Sequence, residues 1–347
     1  MAENRFDLLR LVFASLVFVY HMLLLALLPA PWTENLWAEL AQLSVQGFFV
    51  VSGALVYGSL QRSKGLSVYA EKRVRRLYPA YAVIVLVPAI YALLKTGAFS
   101  DVARYLGANL VFLNFLEPNL PGLFVDQVQP TVNGSLWTLK IEVMFYMILP
   151  LLSWVLLKSG KAVFLTILMV YVGAEIWRAY FEWLALKPMA DGLAPHKIFL
   201  QISRQLPGQM SFFISGIALW ILQDQAQRHW LLAFVLGAGA LSLSYFWGFE
   251  PLRAAGLAML IAAVAYAPGP KLNVGRYGDI SYGVYITHFP IVQALVAVGL
   301  FEYSRSIGAA VAVVLVIISS AALWRLIERP ILRSDSHYRR GKASPAS

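Results

Sequence analysis

The stretch Leu8–Leu28 reads LLRLVFASLVFVYHMLLLALL and decides the class of fold. A helix of about 20 apolar residues crosses the hydrocarbon core of a bilayer, and this stretch is that long. Arg10 and His21 lie within it with ten residues between them. At about 100° and 1.5 Å per residue, both side chains leave one helix face, roughly 16 Å apart. Such residues in a membrane usually face a functional cavity, although an interhelical hydrogen bond for His21 and a surface anchor for Arg10 are simpler alternatives.

The composition indicates a membrane protein. Hydrophobic residues make up 59% of the chain and charged residues only 13%, against about 25% charged residues in soluble domains. The absence of cysteine excludes disulfides, thiolate metal sites and thiol nucleophiles. The net charge of +10 is better explained by membrane topology than by nucleic-acid binding. We therefore expect the protein to contact the lipid bilayer and not to bind nucleic acid.

Apolar stretches predict an all-α polytopic integral membrane protein with about ten transmembrane helices around a polar cavity. The stretch 103–116 is apolar but short, and we interpret it as a re-entrant or interfacial helix. The ten predicted spans lie at 8–29, 44–61, 77–94, 136–157, 162–180, 207–223, 230–246, 251–268, 281–300 and 307–327.

The distribution of basic residues predicts the orientation. With the N-terminus inside, the cytoplasmic pieces hold 19 Lys and Arg residues and the outer pieces hold 8. The positive-inside rule therefore places the N- and C-termini in the cytoplasm. Residues 1–330 are expected to form one membrane domain, followed by a basic cytoplasmic tail at 331–347.

The loop entering the third span concentrates positive charge. It reads QRSKGLSVYAEKRVRRLYPAY and carries six basic residues just before Pro79. One interpretation is anchoring at the cytoplasmic surface. The other is docking of a phosphate-bearing cytosolic ligand, because guanidinium groups bind phosphate through two hydrogen bonds.

Two further ionisable residues fall at membrane depth. Glu142, in TVNGSLWTLKIEVMFYMILP, lies about two turns into the fourth span and needs a partner. Lys140 is the local alternative, although residues two apart do not face each other on a helix. His288 lies about two turns into the ninth span, where it could simply bind a carbonyl group freed by Pro290. Because His21 and His288 lack the i,i+4 ligand spacing, we expect no metal site.

Motifs in register along almost the whole chain resemble membrane-bound acyltransferase family 3, the O-acyltransferases of glycans and small hydroxylated compounds. The matching stretches are FDLLRLVFASLVFVYH, with Arg10 and His21; FFVVSG, with Ser52; RVRRLYPAY, with Arg73 and Arg76; SLWTLKIEVMFY, with Glu142 and Tyr146; ISYGVYITHFP, with Tyr282 and His288; and IERPILR, with Glu328.

The chain departs from the family pattern in two places. Many members carry a second acid directly after the position of Glu142, where this chain has Val143. A mechanism that uses two adjacent carboxylates is therefore not expected. Longer members add a C-terminal SGNH esterase-like domain that this sequence lacks, so the membrane domain or a separate protein is expected to complete the transfer.

The resemblance implies a multi-pass inner-membrane enzyme that moves an acyl group, expected to be acetyl, from cytosolic acyl-CoA to a hydroxyl of a saccharide or glycolipid. Acyl-CoA would be a co-substrate and no cofactor would stay bound. His21 would be the general base or a transient acyl carrier. Arg10 would hold a donor phosphate or polarise the thioester carbonyl, and Glu142 would orient an imidazole.

The resemblance also implies the remaining site residues. Arg73 and Arg76 would bind the donor, with His288, Tyr282, Tyr146 and Ser52 as further candidates. A transporter or flippase for an anionic or glycosylated compound is the main alternative, since intramembrane Arg, His and Glu also serve proton-coupled transport. The absence of recognisable inverted repeats argues against it.

Overall fold

A computed structural model describes residues 5–29, 34–190, 194–270 and 279–332, and every regular element in these ranges is a helix, with no strand among them. The main helices are α1 (Phe6–Leu25), α2 (Glu34–Gln61), α3 (Leu66–Thr96), α4 (Phe99–Asn109), α5 (Trp137–Lys158), α6 (Val163–Ala190), α7 (Lys197–Ser203), α8 (Leu206–Ile221), α9 (Gln223–Arg228), α10 (Trp230–Trp247), α11 (Arg253–Tyr266), α12 (Ser281–Ala297), α13 (Leu300–Tyr303), α14 (Arg305–Ala322) and α15 (Arg329–Ile331). The all-α prediction is confirmed for the described residues.

Seven helices in the described ranges are long and apolar enough to cross a membrane, which confirms a multi-pass membrane protein. They lie at Phe6–Leu25, Asn35–Gln61, Leu66–Thr96, Trp137–Lys158, Gly160–Lys187, Trp230–Trp247 and Arg305–Ile331. The other three predicted spans coincide with α8, α11 and α12, which have 16, 14 and 17 residues. The count of ten and the orientation of the termini stay predictions.

The stretch 103–116 does not form a membrane-crossing helix. It overlaps α4, which has 11 residues and is therefore about 16 Å long, roughly half the thickness of the hydrocarbon core. From residue 333 onward, the predicted basic tail at 331–347 lies outside the described residues.

The chain divides into two compact units. Within the described residues, the first unit comprises 5–6, 45–69, 141–190 and 194–270. The second comprises 7–29, 34–44, 70–140 and 279–332. The helices α1, α2, α3 and α5 each contribute residues to both units.

In the first unit, α2 and α8 touch backbone to backbone at two glycines. A Cβ atom on Gly53 would overlap the carbonyl oxygen of Phe213, and one on Gly216 would overlap that of Val50. Small residues allow such close packing. Membrane helices depend on it, because the hydrophobic effect does not drive their association in lipid. The Phe145 ring stacks on Phe213 beside this contact, with centroids 3.9 Å apart. This packing fixes the segment of α2 that carries Ser52.

In the second unit, α12 is the central helix. Every residue from 281 to 289 is buried, which is typical of a helix enclosed on all sides rather than one facing lipid. Gly283 allows α14 to approach, because a Cβ atom there would lie 2.8 Å from the Cα of Ser320. The polar residues of α12, including His288, must therefore find their partners inside the protein.

Candidate active site

The second unit brings residues from α1, α3 and α12 together around the carboxylate of Asp279, which lies two residues before α12 begins. Arg10 Nη1 donates a hydrogen bond of 2.6 Å to Asp279 Oδ2. Arg76 Nη2 donates to the same oxygen. Two predicted site residues from helices far apart in sequence thus share one acid that the sequence interpretation did not identify.

Asp279 is positioned by the first residue of α12. Its Oδ1 atom accepts hydrogen bonds from Ser281 N at 3.2 Å and from Ser281 Oγ at 2.5 Å. Burial raises the pKa of the Asp279 carboxyl, but the guanidinium charges of Arg10 and Arg76 and the Ser281 hydrogen bonds outweigh it and hold the pKa below its ordinary value. Asp279 is therefore ionised at neutral pH and anchors both cations.

Arg76 also pairs with Glu328, the last residue of a π-helical turn at Leu323–Glu328. Its Nη1 donates to Glu328 Oε2 at 2.8 Å, and the carboxylate is fully buried. The guanidinium lies 5.9 Å from the ring centroids of Tyr282 and Trp324. Single π turns inside helices recur at functional sites, because they shift the direction of side chains. Here the π turn contains Trp324 and Glu328, which both contact Arg76.

Tyr282 lies at the boundary of this charged group. Its hydroxyl donates to the carbonyl oxygen of Leu77 at 2.9 Å, which ties α12 to α3 one residue after Arg76. The structure thus places Arg10, Arg76 and Tyr282 in one cluster with Asp279 and Glu328, which we call the charged cluster.

His21 and His288 form a direct pair in the same unit. His21 Nδ1 lies 2.8 Å from His288 Nε2, and the two rings stack with centroids 5.1 Å apart. His288 is fully buried, and His21 is half-buried. The two histidines that the sequence placed in separate spans therefore meet as one chemical group.

When both rings are neutral, hydrogen bonding fixes their tautomers. His288 Nδ1 lies 3.0 Å from the carbonyl oxygen of Val284, and a carbonyl only accepts, so Nδ1 carries the proton and donates. His288 Nε2 is then an acceptor, and His21 Nδ1 must donate to it. His21 Nε2 keeps its lone pair, the form that a general base requires.

The interpretation of His288 as a partner for the carbonyl freed by Pro290 is wrong. A proline removes the hydrogen bond to the carbonyl four residues earlier, which is that of Ile286. Asn133 Nδ2 donates to this oxygen at 2.8 Å. His288 instead bonds Val284, so its Nε2 atom remains available to His21.

In the first unit, three predicted residues form a second group. Glu142 Oε1 accepts hydrogen bonds from Ser52 Oγ, at 2.9 Å, and from the Tyr146 hydroxyl. Lys140, the local partner considered from sequence, instead lies 4.5 Å from the centroid of the Phe115 ring. His288 is the partner observed at His21 Nδ1, and the expectation that Glu142 orients an imidazole stays a prediction.

Four of the six basic residues of the loop predicted from sequence lie in the first half of α3, which begins at Leu66. Arg73 is half-buried and Arg75 is exposed, with Arg75 paired to Glu71 at 2.8 Å. No group of three or more His, Asp or Glu side chains suited to a metal ion occurs in the described part of the chain.

Fold and site together define a multi-pass membrane protein with a hydrogen-bonded histidine pair and a cluster of buried ion pairs in one unit. Residues 3–325 match the family model described as an acyltransferase domain, so the chain belongs to acyltransferase family 3. It is therefore a membrane acyltransferase, and the transporter alternative has no support from the family.

Two relatives match over nearly the whole chain. Nodulation protein 10 of Rhizobium leguminosarum bv. viciae is 28% identical, across 95% of this chain and 94% of that protein. An O-acetyl transferase of Shigella phage Sf6 is 27% identical, across 96% of this chain and 97% of that protein. No solved structure matches the chain significantly.

Proposed function

We propose that this enzyme transfers an acetyl group from cytosolic acyl-CoA to a hydroxyl of a saccharide or glycolipid at the inner membrane. The observation that carries the proposal is the His21–His288 pair, whose tautomers leave His21 Nε2 unprotonated. An alcohol is a weak nucleophile until a neighbouring base takes its proton. Family membership supports acyl transfer, and the phage relative named O-acetyl transferase supports a hydroxyl acceptor and an acetyl group.

In the proposed reaction, His21 Nε2 accepts the proton of the acceptor hydroxyl as its oxygen attacks the thioester carbonyl. The tetrahedral intermediate collapses, the carbon–sulfur bond breaks, and the CoA thiolate takes the proton from His21. His288 acts as a positioning residue, because it holds the His21 ring in the required tautomer through its Nε2 atom.

The charged cluster is proposed to serve the donor side. Arg10 lies on the same helix as His21, about 16 Å along its axis, and Asp279 holds its guanidinium in place. A fixed guanidinium is suited to a donor phosphate or to the oxyanion of the thioester. Arg76 is held by two carboxylates, and Arg73 lies about one helical turn before it on α3. Donor binding in this helix is tested at Arg73, because replacing Arg76 would also break the buried ion pairs.

Arg73→Gln is expected to raise the apparent KM for acetyl-CoA about 10- to 100-fold, with little change in the KM for the acceptor, because a charge-assisted hydrogen bond to phosphate contributes about 1.5–3 kcal/mol. Initial rates at varied acetyl-CoA measure this. Arg75→Gln is the matched control, since Arg75 is exposed on the same helix. Equal KM values for acetyl-CoA in both variants would indicate that Arg73 only anchors the helix at the cytoplasmic surface.

The proposed function is tested with purified protein in lipid nanodiscs, given acetyl-CoA labelled in the acetyl group. Release of CoA together with transfer of label to a saccharide supports the proposal. If the thioester of acetyl-CoA stays intact with every acceptor, acetyl-CoA is not the donor. If CoA is released but the label is found only in free acetate, a saccharide is not the acceptor.

A further inference from the structure

Three buried side-chain oxygens in the second unit have no hydrogen-bond partner within the described residues. They are Gln127 Oε1 and Thr131 Oγ1, in the segment between α4 and α5, and Gln293 Oε1 on α12. Gln293 is fully buried. A buried polar atom left unpaired costs about 1–3 kcal/mol, so three in one segment of structure need an explanation.

The orientation of both amides is fixed by their nitrogen atoms. Gln293 Nε2 donates to the carbonyl oxygens of Gln129, at 2.5 Å, and Thr131, at 3.1 Å. Gln127 Nε2 donates to the backbone carbonyl of Gln293 at 2.9 Å. Because a carbonyl cannot donate, neither amide can be turned over without losing these bonds. Both oxygens are thus held as acceptors without a donor.

This polar group is linked to the histidine pair through α12 and the Phe289 ring. Gln293 follows His288 by five residues on α12, about 7.5 Å along the helix axis. A Cβ atom on Gly134 would lie 2.7 Å from the Phe289 ring and 3.5 Å from Thr131 Oγ1. The same Phe289 ring meets His21 edge-on, with centroids 5.1 Å apart. Gly134, three residues after Thr131, and His21 therefore both lie against the Phe289 ring.

We propose that Gln127, Thr131 and Gln293 form the subsite that binds the saccharide acceptor, each oxygen accepting a hydrogen bond from a sugar hydroxyl. This rests on the proposed function and names the residues that select its acceptor. Uncharged acceptor oxygens beside an aromatic ring match the chemistry of a sugar, which offers several hydroxyl donors and apolar C–H faces. The sugar is bound through neutral hydroxyls, with the reacting hydroxyl directed toward His21.

Thr131→Val tests the subsite, because valine keeps the side-chain shape and removes only the hydroxyl. Loss of one neutral hydrogen bond to the sugar is expected to raise the acceptor KM about 3- to 10-fold. The KM for acetyl-CoA should stay unchanged. The melting temperature should not fall, since this hydroxyl has no partner in the described protein. The probe is the best acceptor among the methyl glycosides of glucose, mannose, galactose and rhamnose, assayed with labelled acetyl-CoA.

Two controls make the test specific. Thr131→Ser retains a hydroxyl and should keep the acceptor KM close to that of the wild type. Thr96→Val removes a hydroxyl that donates to Ala92 O at 2.8 Å and should leave the acceptor KM unchanged. A wild-type acceptor KM in Thr131→Val would overturn the subsite and leave the proposed function intact. Acetyl transfer to none of the glycosides by the wild type would overturn both the saccharide acceptor and its subsite.

Discussion

His21→Gln is expected to lower the rate of acetyl transfer by about 10²–10⁴-fold, the usual contribution of a positioned general base. Glutamine retains a polar side chain of similar reach but cannot take a proton from the acceptor hydroxyl. Turnover at saturating acetyl-CoA and acceptor measures the loss. His229→Gln, at an exposed histidine, is the matched control and should behave as the wild type. Near-normal turnover by purified His21→Gln would remove His21 from the mechanism.

The positioning role of His288 is tested by two variants that should lower the rate to different extents. His288→Leu removes the acceptor of the His21 Nδ1 proton, so His21 populates both tautomers and the rate should fall less than in His21→Gln. His288→Gln offers an acceptor oxygen and should recover part of the rate. The pH profile of turnover should also change in His288→Leu, because protonation of His21 no longer involves its partner. Identical rates and profiles in both variants would reduce His288 to a packing residue.

Asp279→Asn is expected to lower the free energy of unfolding by about 3–5 kcal/mol, because removing one member of a buried ion pair leaves the other charges uncompensated. Arg10 and Arg76 both lose a shared carboxylate that is 1% exposed in its side chain. Unfolding of the detergent-solubilised protein by heat or denaturant measures the change. Asp101→Asn is the control, since its pair with Arg104 is exposed and such pairs contribute about 0–1 kcal/mol.

The sign of the pH dependence follows from the lowered pKa of Asp279. Burial opposes the shift, and the two guanidinium groups cause it. A carboxyl with a depressed folded-state pKa contributes stability fully above its unfolded pKa of about 3.9, and this contribution is lost as the pH falls below that value. The stability difference between wild type and Asp279→Asn should therefore be constant near neutral pH and shrink below about pH 4. A constant difference down to pH 2 would contradict the ion-pair origin.

The class of protein could be predicted because it depends on local properties of the chain. The length and apolar content of a segment decide whether it can cross a membrane, and both are visible in stretches such as Leu8–Leu28. The shared face of Arg10 and His21 follows from the helical period alone. The same reasoning identified His288 and Glu142 as intramembrane residues that require partners.

The identity of those partners could not be predicted. Arg10 contacts Asp279 and His21 contacts His288, each pair separated by more than 260 residues. No periodicity relates positions on different helices, because helix packing decides which faces meet. Asp279 was missed for this reason, although it directly precedes the ISYGVYITHFP motif. Its role depends on two arginines brought to it by α1 and α3.

The sequence by itself determined an all-helical membrane chain, the face shared by Arg10 and His21, and the motifs of an acyltransferase family. Only the tertiary structure decided that His288 is the partner of His21, that Asn133 binds the carbonyl freed by Pro290, and that a π turn brings Glu328 to Arg76. The physical reason is that spans form from local hydrophobicity. The proton-bearing nitrogen of a histidine is instead fixed by hydrogen bonds between helices, which exist only after packing.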